Sequence, residues 1–378
     1  MIKIFLTGDN HFGRKFANYK MKDTIIEKRY ESFKNMVDKA NEEKCNYFVI
    51  AGDLFDNSNN ISTADVKKVV EYIKKFEGVV IVLPGNHDFY SEDEKIWQTF
   101  SKQAEGIDNI LLMKEYKEYK DTVGDEEISF FPAFCDAKHS SENKLSLYKD
   151  YDFDKNRYNV LLAHGAIEGL SADMEGQYFM MTEKELKSMG LDCCLIGHTH
   201  IPYPLNLNED KETECEGIFN AGTHSQLDLH NSTDGECFII TISRCENKKK
   251  VEAKKYCSGI LRFYDLKVDV KNGDLNLSIK NVIDKNVTVD KKNAILRVNL
   301  KGTMSTEIYE KKEEIYQNLL GDFLEYDKID EDLVEEISIE KIRKEFAETS
   351  FAAKLLEGLS DRPIEQRIAY NLIKEVMS

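Results

Sequence analysis

The feature that most constrains this chain is where its histidines fall. Five of the eight, His11, His87, His164, His198 and His200, stand just past an apolar, strand-like run. The runs cover residues 2–6, 79–83, 159–163 and 193–196, and a further run at 47–51 carries aspartates in the same place. Each closes on a short polar motif: Gly8-Asp9-Asn10-His11, Gly52-Asp53-Leu54-Phe55-Asp56, Pro84-Gly85-Asn86-His87-Asp88, Ala163-His164-Gly165 and Gly197-His198-Thr199-His200. In an α/β sheet, strand ends gather side chains from remote positions into one crevice. A divalent cation needs several converging oxygen and nitrogen donors, more than one contiguous segment offers.

Taken singly, the motifs are weak. Asp-x-His and Gly-Asp-x-x-Asp suit polar turns that cap a following helix, and a lone His164 suits a hydrogen-bonded place in a core. Taken together they do not, because chance would not set five of eight histidines at strand ends. Asp88 is read as structural.

Along the first 260 residues, further strand patterns at 128–131, 217–220 and 237–243 alternate with helical ones. Ile25, Tyr30, Phe33 and Val37 recur at helical spacing, as do Val66, Val69, Val70 and Ile73 behind a cap at Ser62 or Thr63. This predicts an α/β domain over 1–260. Residues 261–335 read as a small α+β module with strands at 262–270, 275–279 and 294–300 and a helix at 307–320. Residues 336–378 read as helical, in two segments at 339–357 and 363–377.

Charge and cysteine usage bound the function classes. A net charge of −17 weighs against bulk attraction to nucleic acid. Lys248-Lys249-Lys250 and Lys254-Lys255 read as a solvated hairpin tip. Eight cysteines without a Cys-x-x-Cys pair read as reduced thiols, which places the chain in the cytoplasm and argues against a structural zinc site. The apolar runs are too short for a membrane span, and the N-terminal one is too short for a signal peptide.

The five motifs, in this order across about 190 residues, resemble the signature of the calcineurin-like metallophosphoesterase superfamily. The resemblance implies a four-layer αββα sandwich and two divalent cations, with Mn2+ the metal of this branch. One site would use Asp9, His11, Asp53 and His200. The other would use Asp53, Asn86, His164 and His198, with Asp53 shared. His87 is left to stabilise the transition state or protonate the leaving oxygen, and Asp56 to orient it.

The stretch from Phe219 to Asp228, followed by Gly235-Glu236-Cys237-Phe238, is similar to a region of the DNA double-strand-break repair exonucleases, the SbcD-like nuclease subunits of the SbcCD complex. Their usual Tyr-Pro-Gly-Ser is Asn220-Ala221-Gly222-Thr223 here, which removes support for DNA contacts from that loop. Asp56 fits the bacterial branch and also suits phosphatases. His224 and His230 read as surface or supporting positions. Leu261-Arg262-Phe263 and the segment from Phe351 to Glu357 are similar in layout to the YhaO-like subgroup. That likeness implies a module capping the active site and a helical end docked on an SMC-like coiled-coil ATPase. The expectation is a DNA nuclease subunit, a 3′→5′ exonuclease with single-strand endonuclease activity, working as a homodimer joined to the ATPase and not on a membrane. The alternative is a phosphodiesterase or phosphatase acting on a small molecule or phosphoprotein. A non-catalytic scaffold ranks last, because every expected ligand and His87 are intact.

Overall fold

The computed structural model describes residues 1–57, 61–140, 142–170, 180–231, 233–245, 248–270 and 273–377. The chain begins β1 (Ile2–Thr7), α1 (Lys22–Glu42), β2 (Tyr47–Ala51), α2 (Thr63–Ile73), β3 (Val79–Leu83), α3 (Lys95–Gln103), β4 (Ile110–Leu112), β5 (Tyr119–Val123) and β6 (Glu126–Ala133). It continues with β7 (Tyr158–His164), β8 (Ala166–Ile167), β9 (Met180–Met181), α4 (Glu183–Ser188), β10 (Cys193–Gly197), β11 (Thr213–Glu214), β12 (Ile218–Asn220), β13 (Glu236–Cys245) and β14 (Lys248–Cys257). Clustering of contacts divides the chain into two units, Met1–Asn18 with Lys22–Ile260, and Tyr19–Met21 with Leu261–Ser378.

In the first unit, β1 to β4 run parallel in a seven-stranded sheet of order β11-β14-β13-β1-β2-β3-β4. A five-stranded sheet, β12-β10-β7-β6-β5, faces it. Strand β2 is buried at all five positions because both its faces are covered. Leu6, Val49 and Ile81 meet Phe130, Val160, Leu162 and Leu195 between the sheets. On the opposite face, Phe5, Phe48 and Val82 pack under Phe33 of α1, Val69 of α2 and Trp97 of α3. Beyond the second sheet, Phe131, Leu161 and Ile196 are covered by Leu145, Tyr148 and Leu186. The layers are therefore αββα. Ser62 is the cap of α2, in a reciprocal pair with Asp65.

The second unit holds β15 (Arg262–Val270), α5 (Leu275–Asn286), β16 (Ala294–Met304), α6 (Thr306–Glu310), α7 (Lys312–Leu320), β17 (Glu325–Glu335), α8 (Ile339–Glu345), α9 (Phe351–Gly358) and α10 (Pro363–Met377). Its three strands form a parallel sheet in the order β15-β16-β17. The strand expected at 275–279 is the start of α5. Asp274 caps that helix, Leu275 and Ile279 share its buried face, and Leu277 between them is 53% exposed. The alternation that suggested a strand was thus one apolar residue looking outward. The helix expected at 339–357 is two, since Ser350 caps a fresh start at α9.

Lys248 is exposed at the hairpin end opposite Cys245, as expected of a solvated tip, but the other basic residues are half-buried and paired. Lys249 pairs with Asp192 at 2.6 Å, Lys254 with Glu43 at 2.9 Å and Lys255 with Glu236 at 3.3 Å, all along β14. Residues 246–247, between β13 and β14, lie outside the described residues. The eight cysteines are unpaired, and Cys45, Cys193, Cys194 and Cys237 are buried. No helix among the described residues is long and apolar enough to cross a membrane.

Leu162 sits fully buried between the two sheets. Leu162→Ala should lower unfolding stability by about 2–5 kcal/mol, read as a shift of the urea midpoint. An unchanged midpoint would mean that the inter-sheet layer is not the core that holds the unit.

Candidate metal centre

Strands β1, β2, β3, β7 and β10 all deliver their last residues to one end of the paired sheets. The turns that follow are held in unusual backbone forms. Asp9, His11 and Asp53 have φ of 47°, 48° and 49°, and His198 has 105°, in the region that non-glycine residues avoid. Main-chain bonds hold them there: Asp9 N donates to Gly52 O at 3.0 Å and His11 N to Asp53 O at 2.9 Å. Two glycines are required by close approach. A Cβ on Gly52, whose φ is +90°, would lie 2.0 Å from His164 Nδ1, and one on Gly85 would lie 2.2 Å from Asp53 Oδ1.

The structure brings all seven expected ligands together. His11 Nε2 lies 3.1 Å from His200 Nε2, and His200 Nε2 lies 3.9 Å from Asp9 Oδ1. Asp53 Oδ2 is 3.8 Å from His11 Nε2 and 3.3 Å from His164 Nε2, so it faces both halves of the crevice. Asn86 Oδ1 is 3.0 Å from both His164 Nε2 and His198 Nδ1. Donor atoms of Asp9, His11 and His200 lie within 4.8 Å of one another, as do those of Asp9, Asp53 and His164. Such a mixed nitrogen and oxygen set fits divalent cations. His164 Nδ1 donates to Ala51 O at 2.9 Å, which turns its Nε2 toward Asp53 and Asn86.

The Asp56 side chain lies elsewhere than expected. Its Oδ1 is 3.3 Å from His11 Nδ1, and it is the main-chain oxygen of Asp56 that accepts from His87 Nδ1, at 2.8 Å. The reason is local: Asp56 N donates to Phe12 O, which fixes the residue beside the first motif. His87 is exposed, and its main-chain N–H donates to Asp53 Oδ1 at 2.8 Å. Asp88 bridges two turns, accepting from Phe55 N and Gly85 N at 3.0 and 2.7 Å. His230 is exposed.

Two further residues support the site: His224, which the sequence offered as a surface or supporting position, and Arg29, which escaped sequence reasoning. His224 is fully buried under the first motif, where Asn10 Nδ2 reaches its Nδ1 at 3.1 Å. Arg29 of α1 is 2% exposed and donates to Asn10 O at 2.6 Å. The one available sign was its spacing, four residues from both Ile25 and Phe33 on the buried face of α1.

Burial and charge set the protonation states. Burial pushes Asp9 up to about 8, against the opposing pull of His164. Burial acts the same way on Asp53, but His164 and His11 outweigh it and hold that carboxyl well below the usual range. For His164, burial favours the neutral form, yet Asp53 and Asp9 prevail and push it up to about 9. Burial lowers His11, and it lowers His200 to about 3 with the help of His11, so both imidazoles stay neutral.

A four-layer sandwich with histidines, aspartates and an asparagine converging at strand ends is the framework of a metal-dependent phosphoester hydrolase. The chain belongs to the calcineurin-like phosphoesterase family, whose sequence model matches residues 2–202. It is similar to an uncharacterised metallophosphoesterase, YhaO of Bacillus subtilis, with 25% identity over 47% of this chain and 42% of that protein. It thus spans less than half the length of that relative. It is also similar to the DNA double-strand break repair protein Mre11 of Sulfolobus acidocaldarius, with 21% identity over 97% of this chain and 93% of that one. Among solved structures, a dimetal phosphatase from Danio rerio aligns with a TM-score of 0.37 and 10% identity, covering 68% of this chain and 98% of that one.

At pH 7 His164 and Asp9 hold protons in the metal-free protein, and a cation must displace them. Binding should release protons, and affinity should climb as pH rises toward about 9. The raised value of His164 contributes stability that is complete below 6.5 and lost as pH passes about 9. Thermal unfolding in chelator should therefore weaken across that window, while Mn2+-loaded protein holds steady. Calorimetry in buffers of different ionisation heat counts the protons, and a count of zero would contradict these assignments.

Proposed function

We propose that the chain is a two-metal phosphodiester hydrolase acting on DNA, a 3′→5′ exonuclease with single-strand endonuclease activity, and the nuclease subunit of an SbcCD-like repair complex. The observation that carries this reading is the reach of the likeness to the Sulfolobus repair protein. It runs through 97% of this chain, taking in the second unit as well as the family domain.

Asp9, His11, Asp53 and His200 would hold one cation, and Asp53, Asn86, His164 and His198 the other. Bound there, a pair of divalent ions supplies an acidified water and a clamp on the phosphate oxygens. Mn2+ is the metal this reading takes. The Asp56 carboxylate lies 3.3 Å from His11 Nδ1, across the ring from the Nε2 that would meet the cation. His87 donates Nδ1–H to the Asp56 main chain, which leaves Nε2 to meet the leaving oxygen. Asp56 then acts on His87 through its backbone and on the cation site through its carboxylate.

The partner we propose is an SMC-like coiled-coil ATPase, joined to a homodimer of this chain. Its support lies on α10, where Ile364, Ile368, Leu372 and Val376 recur every fourth residue and are 55%, 55%, 56% and 86% exposed. An uncovered apolar stripe of this kind suits a helical partner. The competing reading, a phosphatase or small-molecule phosphodiesterase, draws on the net charge of −17.

Full-length protein with Mn2+ should shorten end-labelled duplex DNA from its 3′ ends and also cleave a bis-aryl phosphodiester. Ester turnover without DNA loss at any salt, with or without the ATPase, would overturn the nuclease reading in favour of the competing one. Asp53→Asn should abolish both reactions. His87→Ala should keep Mn2+ affinity and lower kcat about 10²–10⁴-fold; a loss of Mn2+ binding instead would make His87 a ligand.

A further inference from the structure

We propose that Arg29 is a positioning residue for the cation site, clamping the Asp9–His11 turn from helix α1 so that both side chains face the crevice. The inference rests on Asp9 and His11 being ligands, as proposed above.

Arg29 is 2% exposed, yet no carboxylate pairs with it among the described residues. An unpaired cation in a core is costly, and an apolar side chain of similar volume would serve packing better. What it does instead is satisfy main-chain oxygens. One guanidinium nitrogen donates to Ser225 O at 3.0 Å and Gln226 O at 3.1 Å, and another to Asn10 O at 2.6 Å. Asn10 is the residue between Asp9 and His11, whose φ values are 47° and 48°. A single side chain thus ties a strained turn to the loop that runs beneath it.

The tie is closed into a circuit. Asn10 Nδ2 donates to Thr7 Oγ1 at 3.2 Å and to His224 Nδ1 at 3.1 Å. With Nδ1 accepting, His224 carries its proton on Nε2 and donates to Arg29 O at 3.3 Å. Burial holds His224 well below its ordinary value, so the imidazole stays neutral and keeps this polarity. Phe12 stacks on Tyr30 at 4.6 Å and lies 5.5 Å from the His224 ring, which keeps water from competing for these bonds. A left-handed turn persists only where its surroundings over-determine it. Without the Arg29 donor, the Asn10 carbonyl is buried without its partner, and the turn can relax away from the site.

The test compares Arg29→Met, Arg29→Lys and Ser32→Ala with the parent, full length throughout. Ser32, one turn further along α1, donates to Ser258 O at 2.8 Å and does not touch the turn, so its loss measures general loosening. The first readout is hydrogen exchange of the Asp9 and His11 amides in metal-free protein, which donate to Gly52 O and Asp53 O. The second is Mn2+ titration. Arg29→Met should speed exchange of those two amides on the order of tenfold and weaken binding at one of two Mn2+ sites by about tenfold. Arg29→Lys should recover part of both effects, and it carries the comparison if the methionine variant does not fold. Ser32→Ala should leave both readouts at the parent values. Unchanged amide protection in Arg29→Met, or equal acceleration in Ser32→Ala, would overturn the clamp. A parent that binds no Mn2+ pair would sink the cation reading of the site, while amide exchange still decides on Arg29.

Discussion

Everything at the strand ends is arranged around the Asp53 carboxylate, 1% exposed where the two sheets meet. A carboxylate in that position is tolerable only if charge and hydrogen bonds come to it. The His87 amide binds one oxygen, and His164 and His11 face the other. Asp9 and Asp88 are buried in the same crevice, and burial pushes both up, Asp88 to about 7. One raised imidazole, His164, answers Asp53 but could not also balance Asp9 and Asp88 once they gave up their protons. Divalent cations would, and the neutral state of His11 and His200 leaves lone pairs for them rather than added charge.

The fold makes this concentration of charge affordable by spending backbone conformation on it. A strand that ends in a regular turn sends its next side chain along the sheet edge. Left-handed residues at Asp9, His11, Asp53 and His198 bend the chain back at once, so successive polar side chains fall into the crevice. The turns brace one another: the first motif hangs on main-chain oxygens of the second, and Asp88 ties the second to the third. Room is made by absent side chains, since any residue larger than glycine at 52 would displace His164.

The site was legible in the sequence because its signals are local. Each motif sits directly after an apolar run, and the chemistry of aspartate, asparagine and histidine announces itself without knowledge of packing. Strand and helix periods made an α/β domain legible for the same reason, while its αββα layering was implied by the resemblance of the five motifs to the superfamily. What escaped depends on which atom of a residue is used. The resemblance implied Asp56 as the partner of His87, but its carboxylate goes to His11 and its carbonyl to His87, a choice made by the Phe12–Asp56 main-chain bond. Arg29 escaped because its role depends on the loop at Ser225 packing against α1, a contact between positions almost two hundred residues apart. Leu277 mimicked a strand because one exposed leucine restores the two-residue period.

The acidity of the chain then takes on a specific meaning. Three lysines of β14 that could have helped draw in a polyanion are occupied: Lys249, Lys254 and Lys255 answer Asp192, Glu43 and Glu236. On the proposed reading, a phosphate backbone would be held by the cations of the crevice, by Nε2 of His87 and by a partner protein, rather than by a basic surface. Affinity would then depend less on salt than for a protein that binds through many lysines, because few counterions are released, and more on whether the two sites are filled. Metal occupancy would govern substrate binding as well as the chemistry, with the Asp53 carboxylate common to both.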